Sequence, residues 1–496
     1  MNRDLLPVIV GVGQINDRPE NPLEGRDPVT LMADALRAAE ADAGVSLLAE
    51  ADWIGVVQQI AFPEITDASG PLAEQLGATK AERVQSKGPN GDSPILLLNE
   101  AANKIGAGEI RIALVTGAEA LRTAGARKAA ASGGPKPDAL RDATHRVKVG
   151  YAQSHGLVVP TDVYPLYENA LRASLGQTLA EGQAESGEIW SRFSEVAASN
   201  PAAWLRKPVS AADVITPGDK NRPIAFPYTK LQVANAAVNQ GAGFIVMAAG
   251  EARARGIPEA KWIYVGNGAA AHESNSVLAR DGYVRSAGME VSIRKTMELN
   301  QLTIEDLAAV ELYSCFPCVP KMARRVLGWP VEKPATVFGG LTFGGGPIGN
   351  YMSHAVASMV EKLRDSGGTG LLFANGGYAT HNHTIAVSTK PIPAASFPRP
   401  YDFQAEADAA RGPVPELDQD YAGAATVESY TVFYDREGQP RSGVVVARTG
   451  EGKRTLAHVP ASDTKTIARL QGEGGEPVGA SGTIEACEPL RMWKFA

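Results

Sequence analysis

The chain has 496 residues, 44% of them hydrophobic and 21% charged, which is a globular composition on a chain too long for one compact core. Its net charge of −7 and the lack of a long Lys and Arg run argue against nucleic acid as a partner, since phosphate binding needs a concentrated basic face. Three cysteines are too few for a disulfide framework, and we find no signal peptide and no apolar stretch long enough for a membrane span, so we expect a cytoplasmic protein.

The first quarter of the chain alternates predicted strands and helices. The β-branched run Val8–Val12 predicts a buried strand, and Asp27 predicts the N-cap of a helix that reaches Ala43. A second helix is expected from about Ile95, followed by the strand IRIALVTGAEA, which is apolar throughout as a parallel sheet requires. This alternation indicates an α/β fold.

From about residue 122 to 226 the alternation stops. Pro-rich and polar stretches and a predicted helix from Tyr167 to Leu179 indicate an inserted loop domain, a kind of region that shapes pockets. A strand and then a helix follow in QGAGFIVMAAGEARARGI. The same rhythm then recurs over about residues 274–389, which indicates a coarse duplication.

A Pro-rich link after Pro391 predicts a further domain boundary. The remaining segments SYTVFY, SGVVVART, RTLAHV and MWKF are short and β-prone, and turn residues separate them. They predict a small antiparallel barrel or sandwich.

Five ordered segments resemble the thiolase superfamily, in the branch related to sterol-carrier-protein thiolases. They are VIVGVGQ, GAGEIRIALVTGAEALR with Glu119, NRPIAFPYTKLQVANAAVNQGAGFIVM, ELYSCF and GGLTFGGGPIGN, and together they extend over about the first 390 residues. The last hundred residues resemble the β-barrel tail of monomeric thiolase-like proteins.

The resemblance implies an α/β thiolase-like five-layer αβαβα fold with an inserted loop domain and a small C-terminal antiparallel β-barrel. The expected domains are residues 1–121 with 226–270, the loop domain 122–225, the second half 271–392, and the barrel 398–496. Coenzyme A thioesters are the implied ligands, with no permanently bound cofactor and no metal. Fold alone does not give the reaction.

An orthodox thiolase uses a Cys nucleophile at the N-terminus of a buried helix. In this sequence that position is Gly91, which has no side chain to form an acyl-enzyme. Ser93 is a weak nucleophile candidate without a visible activating His, so we interpret Asp92 or Ser93 as a cap of the following helix.

The His of the second thiolase motif is replaced by Tyr313, which also resembles the position in steroid side-chain aldolases. A tyrosine at this point is either a hydrogen-bond donor or base at a thioester, or a buried residue with a satisfied hydroxyl. Cys315 follows as a marginal nucleophile candidate, and a redox role for Cys315 with Cys318 is improbable.

The third thiolase motif keeps its glycine loop but loses its histidine, whose position is Gly346. Backbone donors at the helix start after this loop are available to a thioester or phosphate. The loop residues that we expect at the site are Gly345, Pro347, Gly349 and Asn350.

The second thiolase cysteine is absent as well, from the segment FANGGYATHNH. Its polar residues are the remaining catalytic candidates, Asn375, Tyr378, His381 and His383, beside the loop glycines Gly376 and Gly377. The two histidines should share one face of a strand, but no third ligand supports a metal site.

Three functions remain open at this point. Family membership makes acyl transfer (acetyl-CoA acetyltransferase-like) the default expectation, in lipid metabolism. The missing cysteines instead favour a retro-aldol lyase on β-hydroxyacyl-CoA with Tyr313 as base, or a non-catalytic acyl-CoA-binding protein. The barrel either completes the active site, as a partner does in related aldolases, or covers the thiolase dimer surface, so a monomer and a homodimer are both considered.

Overall fold

The computed structural model describes residues 2–134 and 150–496. The helices are α1 Pro28–Ala43, α2 Ser69–Leu76, α3 Ser93–Gly106, α4 Leu121–Ser132, α5 Tyr151–Ser154, α6 Pro160–Ser174, α7 Leu179–Ser199, α8 Ala211–Ile215, α9 Ala249–Ala254, α10 Ala287–Leu299, α11 Cys318–Leu327, α12 Tyr351–Ser366, α13 Gln404–Ala410 and α14 Thr464–Leu470. Within those two ranges, no helix has the length and apolar character to cross a membrane.

Sixteen strands are found in the same ranges. They are β1 Pro7–Asn16, β2 Trp53–Val56, β3 Glu82–Gln85, β4 Ile112–Ala120, β5 Pro223–Ala225, β6 Tyr228–Thr229, β7 Asn239–Ala248, β8 Ile263–His272, β9 Leu307–Leu312, β10 Thr369–Gly376, β11 His381–Ser388, β12 Gly423–Tyr434, β13 Pro440–Thr449, β14 Arg454–Pro460, β15 Ser481–Glu485 and β16 Met492–Phe495.

Nine strands form one sheet in the order β3-β2-β4-β7-β1-β8-β11-β10-β9. Its two halves meet where β1 pairs with β8, over only two residue pairs, Val8 with Tyr264 and Ile9 with Ile263. Helix α1 covers the outer face of the first half, and its predicted N-cap is confirmed, because the Asp27 carboxylate accepts bonds from the Val29 and Thr30 amides.

Helices α3 and α12 contact strands of both sheet halves, so they form a central helical layer. Helices α10 and α11 cover the outer face of the second half, as α1 and α2 cover the first. The resulting order of helices, strands, helices, strands and helices confirms the five-layer αβαβα fold. Strands buried on both faces explain the unbroken apolar runs in the sequence.

The loop region begins with α4, and residues 135–149 of it lie outside the described part. The single helix predicted from Tyr167 to Leu179 is wrong: α6 ends at Ser174 and α7 begins at Leu179. The break arises because Thr178 and Glu181 form a reciprocal capping box that starts a new helix.

The C-terminal strands close into a five-stranded barrel in the order β12-β13-β14-β16-β15, which returns to β12. The predicted barrel is confirmed, although β14 and β16 pair in parallel and the other neighbours pair antiparallel. Its interior is filled by residues such as Tyr430, Val445 and Trp493. The hairpin of β5 and β6 joins this sheet through Ala225 and Phe433, so the loop region and the barrel share backbone bonds.

A buried ion pair fastens α6 to α11. Lys321 Nζ lies 2.5 Å from Glu168 Oε1 and donates to the Gly182 carbonyl at 2.8 Å, and the Tyr228 hydroxyl donates to the other Glu168 oxygen. Both charged side chains are 2% exposed. Each charge is therefore stable only while the other is present.

We expect Lys321→Ala to lower the free energy of unfolding by about 3–5 kcal/mol, because it leaves the Glu168 carboxylate buried without its counter-charge. The exposed pair between Arg253 and Asp4 is a matched control, and Arg253→Ala should cost at most about 1 kcal/mol. Urea denaturation of both variants checks this expectation. Equal losses in the two variants would contradict it.

Candidate active site

Gly91 lies two residues before α3, at the buried start of that helix, where an added side chain has no room. A Cβ at this position would overlap the Asn375 carbonyl oxygen and the Tyr313 hydroxyl, and would lie 2.6 Å from Tyr313 Cζ. The structure therefore brings together three positions that the sequence placed in one site. The Gly91 amide donates to no oxygen of residues 2–134 or 150–496, so its hydrogen remains available.

Tyr313 follows β9 and points its hydroxyl at Gly91. Its ring meets the ring of Tyr351 edge to face, with centroids 5.7 Å apart, and Tyr351 is fixed by a 2.6 Å bond from its hydroxyl to buried Glu311. Burial, and then nearby Cys315 and Asp92, raise the pKa of Tyr313 well above its usual range. The hydroxyl is thus a neutral donor, and in the described part of the chain it has no hydrogen-bond partner.

Asp92 stands at the N-cap position of α3 but does not cap the helix, so the predicted capping role is wrong. Ser93 does not cap it either, because its hydroxyl donates to the Gly88 carbonyl. Asp92 has αR backbone angles rather than the extended angles of a capping residue, and its side chain accepts no bond from the first helical amides. No other described residue donates a hydrogen bond to this carboxylate.

Burial raises the pKa of the Asp92 carboxyl to about 6, and the nearby charge of His272 opposes that rise. His272, at the end of β8, lies with its ring centroid 5.1 Å from that of His381. Burial and then the charge of His381 lower the pKa of His272. Asp92, His272 and Tyr313 are therefore titratable groups close enough to influence one another beside Gly91.

Asn375, the last residue but one of β10, is fully buried, and both polar atoms of its side chain are hydrogen-bonded. Its side-chain oxygen accepts from the Tyr164 hydroxyl at 2.8 Å, and its amide donates to Asn382 at 2.9 Å. The Tyr164 hydroxyl also lies 3.1 Å from the Gly377 carbonyl oxygen and accepts from the Ala379 amide. The Asn375 side chain is therefore committed to holding the turn, while its backbone oxygen faces Gly91.

Tyr378 lies in the turn between β10 and β11, and its hydroxyl donates to the Val158 carbonyl at 3.0 Å. His381 begins β11 and lies beside His272, and burial and then the charge of Arg280 lower its pKa. The structure thus places His381 beside His272, which lies near Asp92. The hydroxyl of Tyr378 instead points to the loop region.

His383 shares the strand with His381, as predicted, but is fully buried. Its Nε2 pairs with the Asn99 amide at 2.9 Å and its ring stacks on Tyr401. Burial lowers its pKa to about 3, so the ring is neutral. With Asn99 as donor the Nδ1 carries the proton, and this nitrogen has no partner among the described residues.

The glycine loop before α12 is tightly packed. Gly345 has a φ of +105°, and a Cβ there would overlap the Gln240 side chain. The Gly346 amide donates to the Asn235 carbonyl at 2.9 Å. This backbone amide is therefore already used within the protein.

The end of the same loop contacts the segment that carries Gly91. Gly349 has a φ of +78°, and a Cβ there would lie 2.9 Å from Pro89 Cα. The backbone amide of Asn350 donates to the Pro347 carbonyl. Its side-chain amide donates to the Gly117 carbonyl at 2.5 Å. Its side-chain oxygen is buried without a partner in the part of the chain that the structure describes.

The cysteines are free thiols, and two of them are buried near the site. Burial raises the pKa of Cys315 to about 12, which opposes a role as nucleophile because the thiolate is the reactive form. Within residues 2–134 and 150–496, no group of three or more His, Cys, Asp or Glu side chains is placed to hold a metal ion.

Sequence reasoning missed the part that Tyr164 and His272 play at the site. Tyr164 comes from α6 in the loop region, more than 200 residues from Asn375. His272 ends β8, and the pairing of β8 with β11 brings it beside His381, more than 100 residues further along the chain. The one signal that the sequence offered for further polar groups at the site was Asp92 next to Gly91, and this residue was interpreted as a helix cap.

We expect Gly91→Ala to lower the melting temperature by several degrees, since the nearest obstacle is the Asn375 backbone carbonyl, which cannot rotate away. Gly125→Ala in α4 is a matched control with open space around it, and it should be neutral or slightly stabilising. Thermal unfolding of both variants measures the difference. A Gly91→Ala variant as stable as the parent would show that the site has room for a side chain.

We expect Asp92→Asn to stabilise the protein at pH 7.5 by roughly 3 kcal/mol and to change its stability little near pH 4. Burial of Asp92 costs no free energy of charging while the carboxyl is protonated in both the folded and the unfolded state. The penalty grows as the pH rises from its usual pKa of 3.8 to about 6, and it is constant above that.

The control for this experiment has the opposite sign. Asp306 accepts bonds from the Thr303 amide and hydroxyl, which lower its pKa, so Asp306→Asn should lose stability at pH 7.5. Urea denaturation at both pH values checks the pair. A destabilised Asp92→Asn variant at pH 7.5 would mean that the ionised carboxylate is paired.

The comparisons with known proteins agree with this fold. A family described as the thiolase-like protein type 1 additional C-terminal domain matches residues 402–488. A monomeric SCP2-thiolase-like protein type 1 from Mycobacterium smegmatis is 30% identical, with a TM-score of 0.83 over 99% of this chain and 100% of its own. No curated relative matches in sequence.

Two more distant structures share the fold. The Ltp2–ChsH2(DUF35) aldolase is 18% identical, with a TM-score of 0.59 over 78% of this chain and 98% of its own. Human mitochondrial 3-ketoacyl-CoA thiolase is 14% identical, with a TM-score of 0.56 over 78% of this chain and 100% of its own. With the full-length match at 30% identity, the chain belongs to the SCP2-thiolase-like proteins of type 1, within the thiolase superfamily.

Proposed function

We propose that the protein binds an acyl-CoA thioester at the start of α3 and breaks or forms the neighbouring carbon–carbon bond by aldol chemistry, without an acyl-enzyme. The observation that carries this proposal is the unpartnered Tyr313 hydroxyl, which lies against Gly91 where a thiolase would have its nucleophile. A covalent intermediate at residue 91 is impossible, and a hydrogen-bond donor stands in its place.

The proposed oxyanion site consists of two donors. The Tyr313 hydroxyl and the Gly91 amide are both free in the described structure, and both lie at the positive end of α3. Donors fixed in advance around a developing enolate oxygen stabilise it strongly in a buried site. The raised pKa of Tyr313 favours this donor role over the role of base.

Asp92 is the proposed base. Its pKa of about 6 leaves it ionised at neutral pH but more basic than an ordinary carboxylate. In the cleavage direction it takes the proton of the β-hydroxyl group, the Cα–Cβ bond breaks, and the electron pair moves to the thioester as an enolate. The β-carbon leaves as an aldehyde or ketone, and the proton on Asp92 returns to Cα.

The other candidate residues support this group. Asn375 fixes the carbonyl that borders Gly91, and His272, whose ring contacts that of His381, opposes the rise in the Asp92 pKa. His383, buried and bonded to Asn99, keeps β11 against α3 and has no route to the substrate in this arrangement. The loop Gly345–Asn350 shapes the wall beside Pro89.

The relatives support the ligand class and the type of reaction. The human relative is a 3-ketoacyl-CoA thiolase, which has also been solved in complex with CoA, and the Ltp2–ChsH2(DUF35) protein is an aldolase. The Mycobacterium smegmatis relative is described as monomeric, which supports a monomer here too.

The second candidate function is binding of an acyl-CoA without chemistry. Its support is the filled space around Gly91, where the Asn375 carbonyl and the Tyr313 ring take up the volume that a thiolase leaves for its thiolate. The two functions differ in what happens to a bound thioester, and this difference can be measured directly.

We expect the purified protein to cleave one or more β-hydroxyacyl-CoA thioesters of a panel without added free CoA. Tyr313→Phe should lower kcat on the order of 100-fold, the cost of losing one oxyanion donor. Tyr264→Phe is the matched control, since its hydroxyl donates to Glu259 on the far side of the first half. Mass spectrometry of the products measures the cleavage rate of each variant.

The pH dependence tests the base. Activity should rise with pH through about 6, as Asp92 ionises, and Asp92→Asn should remove both the activity and this rise. Cleavage of a β-ketoacyl-CoA that requires free CoA would overturn the aldol proposal in favour of a thiolase. Saturable CoA binding with no turnover of any thioester would establish the binding function instead.

A further inference from the structure

We propose that the C-terminal barrel is a positioning domain for the active site, and that a single barrel strand, β12, holds the β10–β11 turn through two separate chains of hydrogen bonds. The effect of this positioning on catalysis rests on the proposed function. The structural part of it concerns the turn itself and can be tested without any substrate.

The turn of residues 376–380 connects two residues of the site. Asn375 precedes it and places its carbonyl against Gly91, and His381 follows it beside His272. Ala379 in this turn has a φ of +57°, a conformation that a residue with a side chain adopts only when its surroundings hold it there. The structure must therefore supply external restraints to keep this turn in place.

The first chain of bonds starts at Glu428 on β12. Arg454 on β14 pairs with both oxygens of this carboxylate, at 2.8 and 2.6 Å, and it is completely buried. The same guanidinium donates to the Leu278 and Arg280 carbonyls, both at 2.6 Å. One side chain of the barrel thus fixes the backbone of the segment that carries Arg280.

The chain continues from Arg280 to the turn. Its guanidinium donates to the Tyr378 carbonyl and to the Thr380 hydroxyl, each at 3.0 Å. Arg280 is 2% exposed, and its other close charged neighbour is Glu273, whose backbone amide also bonds to the Thr380 carbonyl. These charge-assisted bonds are worth more than ordinary ones because both ends are buried.

The second chain starts at the next residue of the same strand. The Ser429 hydroxyl donates to the Leu166 carbonyl in α6 at 2.6 Å, and Asn169 of that helix donates to the Tyr430 carbonyl at 2.9 Å. Tyr164, two residues before Leu166 on the same helix, contacts three groups of the turn region. Both chains therefore run from residues 428–430 of β12 to residues 375–380.

The two chains approach the turn from different sides of the sequence, one through the second half and one through the loop region. A movement of β12 would disturb both, whereas the strand pairing of β10 and β11 ends at Gly376 and His381 and restrains only the two ends of the turn. The geometry of the Asn375 carbonyl thus depends on a domain that contributes no group to the chemistry.

Hydrogen exchange of the full-length protein tests the structural claim. We expect Arg454→Lys and, separately, Ser429→Ala to raise the exchange rate of a peptide covering residues 376–383 about tenfold, the effect of losing a bond of about 1.4 kcal/mol. Ser429→Ala removes only one hydroxyl, so it keeps the test available if Arg454→Lys fails to fold.

Two control variants remove similar barrel contacts that are not part of either chain. Glu476→Gln weakens the ion pair between Glu476, in a loop of the barrel, and buried Arg172, in the loop region. The guanidinium of Arg172 lies 2.9 Å from a carboxylate oxygen of Glu476. Lys494→Ala removes the ion pair between Lys494 in β16 and Asp463, which lies within the barrel and contacts neither chain. Neither control should change exchange of the 376–383 peptide by more than about twofold.

Kinetics test the catalytic consequence on a substrate identified as above. Arg454→Lys and Ser429→Ala should lower kcat on the order of tenfold with the Kd for coenzyme A unchanged, since misplacement of a reacting group affects chemistry more than binding. Unchanged exchange in Ser429→Ala and in a folded Arg454→Lys would overturn the inference. Faster exchange in an inactive protein would support it and refute only the proposed reaction.

Discussion

The lack of space at Gly91 is the constraint on which the arrangement of this site depends. The Asn375 carbonyl and the Tyr313 ring approach the helix start so closely that only glycine fits. A helix N-terminus without a side chain still presents a free amide and a favourable dipole to a negative charge. In the site that we propose, the helix start therefore still offers electrostatic stabilisation, and residue 91 itself cannot form a covalent intermediate.

The polar groups around Gly91 separate into two sets by their partners. Asn375, His383 and Tyr378 use their side chains within the protein, and this fixes strands and turns. The Tyr313 hydroxyl and the Asp92 carboxylate make no hydrogen bond to another described residue. Polar groups that are not used within the protein are available to a ligand.

The sequence was sufficient for the fold because its signals are local. Apolar β-branched runs, the Asp27 cap and the glycine loops each specify an element from neighbouring residues, and their order matches one superfamily. The sequence did not predict contacts between residues that are far apart in the chain. The contact of Tyr164 with Asn375 joins residues more than 200 positions apart, and the periodicity of a single segment contains no information about it.

The same distinction explains why a barrel without catalytic side chains can still matter for the reaction. A turn held at positive φ, as at Ala379, is stable only if its environment costs more to rearrange than the strain it contains. Two buried chains of hydrogen bonds from one strand meet this requirement, because neither the arginine nor the serine hydroxyl can move without leaving a buried donor or acceptor unpaired. A domain fused to the end of the chain can thus determine the geometry of a site formed entirely by the domains before it.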